Sequence, residues 1–273
     1  MKVIFFKRRY VSCCCILKKE NGCKEKSNMS IKINSLKEEE IRDIGDAFAN
    51  FEYAEAEYGM GYLGKDRQAI SDYISAYVRM AIRERQLYST SDVHEAFIAF
   101  KNPGTKSSFG SAAELLKTVP GRVDTGHLFE MAKSSGKAGK SYGAILSKLK
   151  IPYIYVGMVA VRKEHQGKGF MRKVLEIAFE EGRRQAVPVV LDTDAHLKRN
   201  KYEHIGMKCV TTQHFTDGVE LYGMVYEPDN IPKEWKSEIV LEDTRILDGK
   251  NENIWDRYAP IYNRYSKGTP GNR

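Results

Sequence analysis

The stretch Val159-Ala160-Val161-Arg162-Lys163-Glu164-His165-Gln166-Gly167-Lys168-Gly169-Phe170-Met171-Arg172-Lys173 decides how this chain folds. It reads as the end of a strand, a tight turn and the start of a helix. Upstream, Tyr153–Val161 alternates, which assigns Ile154, Val156, Met158 and Ala160 to one side of the strand. Downstream, Phe170, Val174, Ile177 and Ala178 mark the buried stripe of a helix over 167–181, with Gly182 placed as the residue that ends it. The two glycines let the backbone approach whatever lies at the turn. The helix N-terminus offers unpaired N–H groups and a positive dipole end. Gln166, Lys168, Arg172 and Lys173 add donors and charge, so the junction is a ready pyrophosphate site.

On the N-terminal side, Ile31–Ile33 reads as a short strand. Ser35 and Glu38 read as N-cap and capping-box partner of a helix marked by Ile41, Ile44, Phe48 and Phe51. A second helix is predicted over 66–85, with Ile70, Ile74, Tyr77 and Ala81 on one face. Gln86–Tyr88 and Val93–Phe100 flank a hairpin turn, and Asn102-Pro103-Gly104 is a break. An insert follows over 101–150, with its last helical stretch at 142–150. On the C-terminal side come a strand at Val187–Leu191, a helix at Lys198–Ile205 stopped by Gly206, and a hairpin of Lys208–Phe215 with Val219–Tyr226 around Asp217-Gly218. The strands at 153–161 and 187–191 are joined through a helix, which makes them a parallel crossover. The fold class is therefore α+β, a mixed and mostly antiparallel sheet with one parallel crossover at its central strands.

With those residues in view, the segment resembles motif A of the GNAT superfamily of N-acetyltransferases, whose pattern is Gln/Arg-x-x-Gly-x-Gly/Ala. Gln166 and Gly169 match it, and Met171 replaces the last small residue. Asn200-Lys201-Tyr202-Glu203-His204-Ile205-Gly206-Met207 is similar to the family's motif B, with the Asn-to-Tyr spacing two shorter and Met207 in place of Phe. The resemblance implies a GNAT-like acyl-CoA N-acyltransferase fold over 29–228 and a transfer of acetyl from acetyl-CoA to a primary amine, in a ternary complex. It implies that Met158, Val159, Ala160 and Val161 pair with the pantetheine arm. It implies further that Gln166, Gly167, Lys168, Gly169, Phe170, Met171, Arg172, Lys173 and Asn200 surround the phosphates and that Tyr202 is the general acid. The N–H of Val159 is the expected oxyanion donor.

The amine must lose a proton before it attacks, and Glu55, Glu57, His94, Glu130, Asp192 and His196 are the candidate bases. Asp192 and His196 follow the fifth strand and are preferred. The connection between the first two helices carries Tyr53, Glu55, Glu57, Tyr58 and Tyr62, a mix of acid and aromatic groups suited to a cationic amine. The acceptor, a small molecule or a protein amine, stays open. Dimers are frequent in the family, so a homodimer is an open option.

Composition narrows the alternatives. The chain has 273 residues and a formal charge of +8, but residues 1–28 hold eight basic and two acidic residues and four of the five cysteines. This leader is expected to be a disordered arm or sequence upstream of a start at Met29, and 229–273 a C-terminal extension. The leader's cysteines show no paired C-x-x-C, and no metal site is expected. No stretch approaches the ~20 apolar residues of a membrane span, and a cytoplasmic location is expected. Two rivals stand beside acetyl transfer. One is a GNAT-fold protein that binds acyl-CoA without catalysis. The other is a nucleotide or nucleic-acid binder using the leader and the 134–141 loop, where Gly139-Lys140-Ser141 resembles a phosphate-binding loop. That pattern needs glycine at Ser134, and the body without the leader carries a charge of only +2, so no nucleic-acid partner is expected.

Overall fold

The computed structural model describes residues 30–50, 67–105, 140–215 and 220–237. Its strands are β1 (Ile31–Lys32), β2 (Leu87–Ser89), β3 (Ala96–Lys101), β4 (Ile154–Val161), β5 (Val189–Thr193), β6 (Lys208–His214) and β7 (Glu220–Tyr226). Its helices are α1 (Glu38–Ala49), α2 (Arg67–Arg83), α3 (Tyr142–Lys148), α4 (Phe170–Gln185) and α5 (His196–Ile205). The strands form one sheet in the order β1-β2-β3-β4-β5-β7-β6. Every neighbouring pair is antiparallel except β4 and β5. This is the mixed α+β sheet expected from the sequence, with the parallel crossover through α4.

Helices cover both faces. On one face, α1 and α2 bury Ile41, Ile44, Ile74 and Val78 against Leu87, Phe97 and Ala99. Farther along that face, α3 buries Tyr142, Ile145 and Leu146 against Val190, Val210 and Val225. The helix of the insert is therefore part of the core. On the other face, α4 buries Val174, Leu175, Ala178 and Phe179 against Ile98, Ile154, Val189 and Met224. Beyond β7, Ile231 is buried and Trp235 packs against both C-terminal clusters, so residues just past 228 also pack on the domain.

Four local expectations are corrected. The N-cap of α1 is Lys37 rather than Ser35, and the Glu40 carboxylate accepts from the Lys37 N–H at 3.1 Å. Gly182 lies inside α4, which ends at Ala186 in the left-handed region. A Cβ at 182 would stand 2.6 Å from a Val189 methyl, so glycine lets α4 press onto β5 instead of ending the helix. The buried stripe of α4 is centred on Val174, Leu175, Ala178 and Phe179, with Phe170 and Ile177 only partly buried.

The fourth correction concerns β4. Phe100 pairs with Val156 and Ala99 with Met158, which leaves Gly157 as an extra residue. A bulge of this kind reverses the alternation. Ile154 and Val156 face α4, while Met158 and Ala160 face α1 and α2. All four are buried as the alternation predicts, but on two faces of the sheet. A Cβ at Gly157 would run into the Tyr77 hydroxyl of α2.

The α1–α2 crossing tests this packing. A Cβ at Gly45 would lie 2.5 Å from the Ser71 carbonyl oxygen and 2.6 Å from Ser75 Oγ. Alanine gains about 1 kcal/mol of helix propensity, but overpacking against a backbone oxygen costs roughly 1–3 kcal/mol. Gly45→Ala is expected to lower the urea midpoint, by about 1–2 kcal/mol in stability. A raised midpoint would mean that the two helices yield freely.

Candidate active site

The site grows from the parting of two strands. β4 and β5 pair through Ile154 with Val189 and Tyr155 with Val190, and among the described residues no further pair joins them. Both strands run on, β4 to Val161 and β5 to Thr193. Their facing edges separate into a wedge. At its mouth lies a cavity of about 700 Å³, lined by Val159, Ala160 and Val161 of β4, the turn at 165–169, the first turn of α4, and one side of α5.

The turn is built as the sequence suggests. A short 3-10 turn at Lys163–His165 leads to Gln166, whose side-chain amide donates to the Val161 carbonyl at 3.2 Å and ties the turn to the strand. Gly167 has φ 74° and Gly169 has φ 81°, conformations that side chains rarely adopt. Among the described residues no atom lies within 4 Å of a Cβ built at either glycine, so the glycines serve backbone conformation and leave open space above the turn. Gly169 is the N-cap of α4, and the first helical bond is Lys173 N–H to the Gly169 carbonyl. The N–H groups of Phe170, Met171 and Arg172 precede that bond and have no partner within the helix.

The predicted cationic groups divide. Lys168 is exposed on the turn. The Arg172 guanidinium donates to the His204 carbonyl at 2.9 Å and holds the end of α5 against α4. The Lys173 ammonium lies 4.4 Å from the centre of the Phe170 ring. Asn200, Tyr202 and Met171 line the cavity as expected. Met158 faces α1 and α2 instead. Sequence reading missed Ala47 and Phe48 of α1 and Leu197 and Lys198 of α5, which also line it. Phe48 carried only a helix-core signal. Leu197, half exposed on a polar helix, was the one hint available.

Tyr202 is buried, with 8 % of its surface exposed, and borders the cavity. Burial pushes its phenol well above the usual value, with the Asp194 carboxylate adding to the shift, so it stays protonated at any physiological pH. The two preferred bases lie apart. His196, at the start of α5, is more than half exposed and sits 2.9 Å from the Tyr222 hydroxyl, which also donates to Glu220. Neither His196 nor Asp192 lines the cavity. Asp192 lies on β5 on the same face as Tyr155, whose hydroxyl donates to its Oδ2 at 3.2 Å. Its Oδ1 is buried without a hydrogen-bond partner. Burial pushes the Asp192 carboxyl up from 3.8 to about 6. Tyr53, Glu55, Glu57, Tyr58 and Tyr62 lie outside the described residues, as do Glu130, the leader and most of the 134–141 loop.

No family model matches the chain. No curated protein matches it. Solved structures do. The structure of histone acetyltransferase HPA2 and related acetyltransferase from Corynebacterium glutamicum is similar over 75% of this chain and 97% of its own, at 14% identity and a TM-score of 0.49. A Drosophila melanogaster polyamine N-acetyltransferase is similar over 70% of this chain and 97% of its own, at 11% identity and a TM-score of 0.45. The NatC complex bound to Gag peptide and CoA is similar over 73% of this chain and 97% of that one, at 13% identity and a TM-score of 0.40. At these values function rests on the geometry of the site itself.

Asp192 gives a test of that geometry. Its carboxyl binds a proton more tightly folded than unfolded, so its contribution favours folding below about pH 4 and is lost as pH rises through about 6. Above that, the buried carboxylate costs on the order of 2–3 kcal/mol at most. Asp192→Asn is expected to unfold at higher urea than wild type at about pH 8, with the difference shrinking towards zero at about pH 4. A difference of equal size at both pH values would contradict the burial of this carboxylate.

Proposed function

We propose that this protein is an N-acetyltransferase that moves acetyl from acetyl-CoA to a primary amine by direct attack in a ternary complex. The observation that carries this reading is the helix N-terminus behind two left-handed glycines, opening onto the cavity where β4 and β5 part. A pyrophosphate needs clustered N–H donors without side chains in the way. The N–H groups of Phe170, Met171 and Arg172 and the open space over Gly167 and Gly169 meet that need. Lys201 lines the cavity and Lys168 is exposed on the glycine turn, and both supply positive charge. The wedge suits the pantetheine arm, whose amides pair with an unpaired strand edge as another strand would.

The chemistry follows from where the groups lie. The amine nitrogen attacks the thioester carbonyl, and a backbone N–H of β4, Val159 being the expected one, stabilises the oxyanion. The C–S bond then breaks. A free thiolate with a pKa of about 8.5 is a better leaving group when protonated as it departs. Tyr202 is held protonated by burial at the cavity wall and serves as that acid. The acceptor is a primary amine. The Drosophila neighbour acts on polyamines, which makes a polyamine a sensible first probe, beside an arylalkylamine and a peptide amine.

The test is thiol release from acetyl-CoA across such an amine panel, together with calorimetric binding of CoA. Wild type is expected to bind CoA and release thiol with at least one amine. Tyr202→Phe is expected to lower kcat by about a hundredfold while CoA affinity holds. Gly169→Ala is expected to raise the KM for acetyl-CoA about fivefold, because alanine pays roughly 1 kcal/mol at this φ. Unchanged turnover in Tyr202→Phe would leave only a binding role for that residue, and absence of CoA binding would remove the proposal altogether.

A further inference from the structure

We infer that Asp192 is the catalytic base of this site and that it takes its substrate as a cationic primary ammonium. The inference rests on the acetyl-transfer reading and adds to it the group that removes the amine's proton.

The position comes from register. Tyr155 pairs with Val190, so Asp192, two residues farther along β5, stands level with Gly157 on β4 where the two strands have parted. Asp192 therefore sits beside the bulge, at the point where the thioester-bearing edge of β4 begins. Tyr155, Gly157 and Asp192 share the face covered by α1, α2 and α3, opposite the face on which α4 and α5 hold Tyr202. Base and acid thus approach one gap from its two sides, as a transfer between an incoming amine and a leaving thiol requires.

The surroundings suit a cation that gives up a proton. Asp192 Oδ2 accepts from Tyr155, and Oδ1 is buried with no partner. The Tyr77 hydroxyl, from α2, lies over Gly157 and beside the Tyr155 ring. Across the sheet, Asp192 pairs with Gly223 of β7, which brings no side chain. Thr211 of β6 and Tyr142 of α3 lie over that glycine. Among the described residues these neighbours are uncharged, and desolvation raises the carboxyl against the lowering effect of the Tyr155 hydrogen bond. A carboxylate whose Oδ1 is buried and unpartnered, with no cation beside it among the described residues, is short of a positive partner. An ammonium supplies one, and the two Tyr rings add a surface that attracts it. His196, the other base that sequence reading favoured, is turned to Tyr222 on the opposite face.

The steps balance. The ammonium gives one proton to Asp192, which becomes a carboxylic acid. The neutral nitrogen forms the C–N bond, the C–S bond breaks, and the sulfur takes the Tyr202 proton. The second nitrogen proton restores Tyr202, and Asp192 releases its own to solvent, so each turnover yields amide, CoA thiol and one proton.

The experiment compares wild type and Asp192→Asn with two acceptors of nearly the same shape. Ethylamine is an alkylamine that is protonated at neutral pH, with a lysine-like pKa of about 10. 2,2,2-Trifluoroethylamine is already neutral at that pH and needs no base. Asp192→Asn is expected to lose about a hundredfold or more in kcat/KM with ethylamine and less than about fivefold with trifluoroethylamine. The wild-type ethylamine rate should also rise with pH through an acid limb that the variant lacks. Calorimetric CoA binding and the urea midpoint should stay at or above wild-type values. A variant that retains ethylamine turnover within about threefold, or loses both amines equally, overturns Asp192 as base and leaves acetyl transfer standing. CoA binding by wild type without thiol release from either of these amines or from any amine of the panel overturns the acetyl-transfer reading and this inference with it.

Discussion

The parting of β4 from β5 is the constraint on which the rest of the molecule depends. A buried sheet normally pairs every backbone group along facing strand edges. Here pairing stops after Tyr155 and Val190, although six more residues of β4 and three of β5 remain in strand conformation. Such a gap would collapse if the strands were free to close. Several features oppose closure. The bulge at Gly157 turns β4 away, α5 rises from the end of β5 into the mouth of the wedge, and Arg172 fastens the end of α5 to α4. The wedge is thus held open by packing around it, and the backbone groups along its edges are available to a ligand that carries amides.

The same bulge gives the gap two different sides. Without it, the alternation of β4 would place Ile154, Val156, Met158 and Ala160 together against one layer of helices. With it, the first pair supports α4 and the second supports α1 and α2. The helix whose N-terminus is proposed to hold the pyrophosphate then sits on one face, and the helices flanking Tyr155 and Asp192 on the other. In the proposed reaction this arrangement keeps an anionic donor and a cationic acceptor apart until they meet in the gap. Gly157 allows this because Tyr77 occupies the space that any larger residue would need.

Much of this was legible in the sequence, and the parts that were not share a cause. Periodicity located β4, α4, α5 and the terminal hairpin, because each buries a face whose spacing survives in the residue order. The glycine turn before α4 was legible because Gly167 and Gly169 meet a purely local requirement on φ. Gly182 misled for the opposite reason: its role is a close approach to Val189, a tertiary contact with no local signature. The bulge left no mark either, since all four alternating residues remain buried whichever face they use. Phe48 looked like core and lines the cavity, because α1 crosses the wedge mouth only once the sheet is assembled. Arg172 looked like a phosphate ligand, yet its partner is a carbonyl thirty-two residues away in the chain.

Desolvation is the largest effect on both candidate proton-transfer groups, and it acts with the same sign on each. For a phenol and a carboxylic acid alike, burial disfavours the charged form. Tyr202 starts near 10 and is pushed beyond any working pH, so it holds a proton it can give. Asp192 starts near 4 and is pushed to about 6, so it ionises just below neutrality and binds a returning proton far better than an exposed carboxylate would. A base with a pKa near the working pH is the most effective one. The cost is a carboxylate held at neutral pH with one oxygen buried and without a partner. A chain selected for stability alone would carry Asn or Val at 192. The one unpaired buried carboxylate oxygen among the described residues stands level with the bulge where the strands part, which is where the proposed chemistry needs a base.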